Sequence, residues 1–278
     1  MVGRPPQIAA AAGTPGFLTD LYMSGTTFFT LGLGDVSPIS GAARALTVIE
    51  AGTGFGYLAL VLSYLPVLYQ SFSRRESHIT MLDEWAGSPS SAAELLERCA
   101  ESGEPSVVVS FLRDWESWAA DLMESHLSYP ILAYFRSQHD NQNWLAALTA
   151  VLDACALVMV GVGKVPSWQA RMTFAMARHA VVDLSQVFHQ RPRAFDPRRL
   201  GKEDQARLRT TLAKAQVPLR DGAEADQRLE ELRAMYEPYV AALSRHLLMP
   251  MPAWLPPDQR RYNWQTTAWA RTGREHAH

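Results

Sequence analysis

The chain has 278 residues, enough for one large domain or two smaller ones. A formal net charge of −2, with no basic tract interleaved with aromatics, excludes nucleic acid as a natural partner. The two cysteines, Cys99 and Cys155, lie far apart without CxxC or Cys/His spacing, which argues against a disulfide scaffold or a zinc site and fits a reducing compartment for most of the chain.

Residues 1–16 contain adjacent prolines, Pro5 and Pro6, and an alanine run, and read as a disordered lead-in. "FLTDLYMSGTTFF", Phe17 to Phe29, predicts a short helix. Thirteen helical residues rise about 20 Å, too little to cross a hydrocarbon core of about 30 Å. "TLGLGD" follows, then a turn around Pro38, Ser40 and Gly41.

From Ala45 to Tyr69 the chain has 25 residues with one formal charge, Glu50, and reads as membrane-spanning. Gly52, Gly54 and Gly56 permit close packing or bending there, and Pro66 marks a potential kink. Glu50 is expected to pair with Arg44 or with polar groups of the preceding short helix. Arg74 and Arg75 place the far end on the cytoplasmic side.

Residues 76–90 read as a polar linker, with Ser90 or Ser91 as N-cap and Glu94 set for a capping box. Residues 91–250 predict successive amphipathic helices: 91–102, 106–123, 127–136, 144–160, 168–188, 202–215 and 221–248. No alternating strand pattern of useful length occurs, so the fold class is all-α. Trp115, Trp118, Trp144 and Trp168 are expected in the core. Residues 251–278 read as an extended tail.

Chemistry-bearing motifs are sparse. "GVGK", Gly161 to Lys164, lacks phosphate-loop spacing, and His179 with Asp183 reads as a solvent-facing pair. No catalytic or metal-ligating constellation stands out, and the expectation is a protein that is not an enzyme and needs no cofactor.

"TTFFTLGLGD" resembles the pore loop of tetrameric potassium channels, whose filter consensus is T-V-G-Y-G-D. Thr30, Gly32, Gly34 and Asp35 match it, while Leu31 and Leu33 replace the usual valine and aromatic. Nineteen residues beyond Asp35 stands Gly54, where many channels of this family carry a hinge glycine. The resemblance covers residues 17–75.

It implies a pore helix, a filter of Thr30, Leu31, Gly32, Leu33 and Gly34, an outer mouth at Asp35 and an inner helix with a gating hinge at Gly54. Potassium would be the permeant ion, with no other metal. Identical subunits in a homotetramer and the lipid bilayer would be the partners. The location would be the plasma membrane, with a cytoplasmic helical domain. The family's outer helix finds no counterpart, and a truncated pore subunit is the expectation. The alternative is a non-conducting, single-span anchored interaction protein derived from a channel.

Overall fold

The computed structural model describes residues 16–139, 141–194 and 196–256. The predicted lead-in up to residue 15 and the tail from residue 257 lie outside the described residues. The chain divides into two compact units, Met1–Gln70 and Ser71–His278. The described residues are helical, without a β-strand and with one isolated bridge between Val162 and Leu219.

The first unit contains α1, Phe17–Phe28, and the start of α2, Gly41–Ala86. Thr30 to Asp35 form part of the loop between them. Ser40 starts α2 by accepting the Ala43 N–H at its hydroxyl, 3.1 Å, and the Arg44 N–H at its carbonyl, 3.0 Å. Pro66 lies inside α2, which continues through it despite the missing N–H donor.

The linker expected over 76–90 is helical through Ala86. Nothing between Gln70 and Ala86 breaks a helix, and polarity alone does not. Gly87 ends it with φ +77°, its N–H bonded to the Asp83 carbonyl at 3.0 Å.

The second unit adds α3 (Ala92–Glu101), α4 (Pro105–Ser128), α5 (Trp144–Gly161), α6 (Ser167–Val187), α7 (Lys202–Lys214), α8 (Ala223–Ala234) and α9 (Glu237–Leu247). Ser91 caps α3, accepting from the Glu94 N–H. Asn143 caps α5 through the Ala146 N–H at 2.6 Å. The helix expected over 127–136 is a 3-10 turn, Pro130–Tyr134. The helix expected over 221–248 is two, because Pro238 opens α9 and cannot donate into a continuing helix.

Helix α5 is not amphipathic. Its apolar window is 89% buried, whereas that of α2 is 6% buried. A helix apolar on every side belongs in a core, and α5 is the centre of this one, packed against α6, α8, α3 and α9. Trp115, Trp118 and Trp144 are buried as expected, and Trp168 is exposed. Burial pushes the Cys99 thiol up to about 12, so it fills space as a protonated apolar group. The "GVGK" stretch is a tight turn, with Gly161 at φ +128° and Gly163 at φ +51°.

Two buried polar clusters bind the second unit together. In one, Arg199 pairs with Asp153 of α5 and with Glu237 of α9, the latter at 2.6 Å. Arg233 also pairs with Glu237, at 3.1 Å, and the Tyr236 hydroxyl donates to Asp153. Arg199 donates to the Pro252 carbonyl at 3.1 Å and lies 5.3 Å from the centre of the buried Trp254 ring. Residues 251–256, the described part of the expected tail, contain no helix or strand, and Trp254 is part of the core.

In the other cluster, the buried Arg75 donates to the carbonyls of Leu132, 2.9 Å, and Phe135, 2.8 Å, and to Glu76, 2.9 Å. Its Nη1 also lies 3.3 Å from His126 Nε2, while His126 Nδ1 donates to the Leu122 carbonyl at 2.8 Å. These partners assign the neutral tautomer with its proton on Nδ1. Burial and the facing guanidinium push the His126 pKa down to about 3.

A depressed histidine contributes stability above its unfolded value of about 6.5 that is lost as pH falls towards the folded value. Between pH 7 and pH 5 this group alone should cost about 2 kcal/mol, or roughly 4–8 °C in Tm. His126→Gln keeps an acceptor for Arg75 and should shrink that drop in thermal melts at the two pH values. An equal drop in both proteins would refute the assignment.

Candidate functional site

The first unit gathers the residues that the sequence singles out. Helix α1 ends when Thr30 takes φ +57°, a left-handed conformation that a β-branched residue adopts only under constraint. The constraint is visible in the hydrogen bonds. Thr30 N–H bonds to the Thr27 carbonyl at 3.0 Å, and the N–H groups of Leu31 and Gly32 both reach the Thr26 carbonyl, at 2.8 and 3.2 Å. Gly32 follows at φ +57° and Gly34 at φ +75°, while the intervening Leu31 and Leu33 are not left-handed.

The sign of φ therefore alternates over five successive residues. Glycine supplies two of the three left-handed positions at little cost. Such alternation turns successive peptide planes the same way, so that consecutive carbonyls can face one side. Leu31 and Leu33 are exposed on the single chain. Asp35 closes the loop by accepting the Tyr22 hydroxyl at 2.8 Å.

Helix α1 is fixed to α2 at two points. Ser24 donates to Glu50, the pairing with the short helix expected for this ionisable residue. One turn further along α2, Gly54 lies against the Phe28 carbonyl, and a Cβ at Gly54 would stand 1.9 Å from that oxygen. Gly54 is thus a close-approach position, and α2 runs unbroken through it. The Phe28 and Tyr57 rings flank the contact, 6.3 Å between centres.

Tyr22 and Ser24 were not legible as site residues. A tyrosine and a serine in a short helix carry no motif, and their partners lie 13 and 26 residues away. The expected surface pair of His179 and Asp183 is present at 3.1 Å, with the histidine exposed. Among the described residues no group of three or more His, Cys, Asp or Glu is arranged to hold a metal ion.

Residues 10–70 match a family model described as Ion channel. The match covers α1, the loop and the first part of α2, and it supports ion-channel function in a membrane protein. No curated protein and no solved structure matches the chain.

Proposed function

We propose that this chain is a subunit of a tetrameric, potassium-conducting channel, with the carbonyls of Thr30, Leu31, Gly32, Leu33 and Gly34 lining its filter. The observation that carries this reading is the alternating sign of φ from Thr30 to Gly34. A filter replaces the hydration shell of a cation with stacked rings of carbonyl oxygens, and this backbone can present them from successive residues.

Other features support it. The α1 C-terminus, the negative end of its dipole, immediately precedes the loop. Asp35 supplies charge at the outer mouth and is braced by Tyr22. The apolar surface of α2 over 45–69 is left open on one chain, available to lipid and to identical subunits. Irregular backbone at membrane depth requires a wet path or protein around it, and four chains about an axis provide both. In this arrangement α2 crosses the plasma membrane, and the helical unit is cytoplasmic. Potassium is the permeant ion, and no cofactor takes part.

The test is flux. The chain reconstituted into vesicles should pass potassium faster than protein-free vesicles, with sodium passing more slowly. Stable insertion without flux would favour instead the non-conducting anchored protein.

A further inference from the structure

We propose that a groove in the helical unit, between residues 78–85 of α2 and the first half of α4, binds an organic cation bearing an apolar group, of the quaternary ammonium class. The cavity measures about 450 Å³. That volume falls within the range of roughly 300–1,000 Å³ typical of small-molecule sites.

Its walls are aromatic. Trp85 faces Phe111 with ring centres 5.4 Å apart, and Phe111 stacks on Trp115 at 5.8 Å. His78 meets the edge of Trp115 at 6.4 Å. Met81 completes the apolar lining from α2. Phe111 and Trp115 are held by the core, so this wall is preformed, whereas Trp85 and Met81 are exposed and lie open to an occupant.

The charge in the groove selects the ligand. Among the described residues Asp114 is the one carboxylate of the lining, and none of the described lysines or arginines lines it. Its side chain is exposed and makes no hydrogen bond or ion pair with any described residue. A carboxylate beside aromatic faces is complementary to a cation with a hydrocarbon surface: the ring quadrupoles and the carboxylate attract the charge, and the methyl groups bury against rings and thioether. A neutral apolar ligand leaves Asp114 unused, and an anion is repelled by it. This inference does not depend on conduction, since the site lies wholly within the second unit.

The test is calorimetric titration of the full chain in detergent with benzyltrimethylammonium. The controls are benzoate and the neutral isostere in which carbon replaces the quaternary nitrogen. Binding of the cation, with at least tenfold preference over both, is expected. Asp114→Asn and Trp85→Leu should each weaken it about tenfold, with circular dichroism unchanged. Equal binding of the neutral isostere would overturn the proposal. So would native affinity in Asp114→Asn, which would place the cation elsewhere, or no binding at millimolar cation. Because binding is read without flux, a chain that does not conduct can still pass, and a conducting chain can still fail.

Discussion

Replacing Gly32 or Gly34 with alanine is expected to abolish cation flux while leaving the helical unit folded. Both glycines are left-handed, at φ +57° and +75°, and a Cβ at either would meet nothing within 4 Å on its own chain. The penalty is therefore conformational rather than a clash. An L residue in this region costs roughly 1–2 kcal/mol. In the proposed ring of four subunits the cost would be paid at four equivalent positions, about 4–8 kcal/mol in all. The loop relieves it by returning φ to negative values, which turns a carbonyl away from its neighbours and breaks the ring.

Thr30 shows that the loop tolerates one strained L residue, so loss of conduction, not loss of expression, is the outcome to measure. Vesicle flux should fall to the protein-free level in each variant, with the thermal transition of the helical unit unchanged. Native flux in both variants would remove the filter assignment.

The second large effect is on stability. Arg199→Met should lower the melting temperature of the helical unit by roughly 6–20 °C, from a cost of about 3–5 kcal/mol for breaking a buried ion pair. The loss is large because the arginine has several dependants. Asp153 and Glu237 are both fully buried, and each loses a charged partner. The Pro252 carbonyl loses a donor and Trp254 loses a facing guanidinium. Arg220→Met, by contrast, removes an exposed pair with Glu224 at 3.5 Å and should shift the melt little. Equal shifts in the two variants would show that the buried cluster does not organise the unit.

What the residues disclosed in advance follows from how local each feature is. The short helix, the glycine-bearing loop and the apolar start of α2 announce themselves through neighbours within a few residues. So do the Ser91 cap and most helices of the second unit, whose bounds move by a residue or two. Features that depend on distant partners were not legible. Arg199 and Asp153 are 46 residues apart, and Tyr236 and Asp153 are 83 apart.

Trp168, expected in the core, is exposed, and Trp254, in the expected tail, is buried, because a tryptophan carries no local sign of which surface will cover it. Composition misled in two directions. Polar residues after Arg75 suggested a linker where nothing interrupts the helix as far as Ala86. Apolar residues on every side of α5 were read as one amphipathic face, although only complete burial suits such a helix. Pro238 was the visible cue to the break between α8 and α9.

The burial of Trp254 has a consequence for the order of events in the cell. Synthesis runs from the N-terminus, so the loop after α1 and the apolar stretch of α2 emerge long before this tryptophan. The helical unit cannot close its core until residue 254 has left the ribosome, because Arg199, Arg233 and the 250–256 segment complete one another. The apolar segment is thus delivered while the helical unit is still open, and that unit closes its core only after residue 254 has emerged.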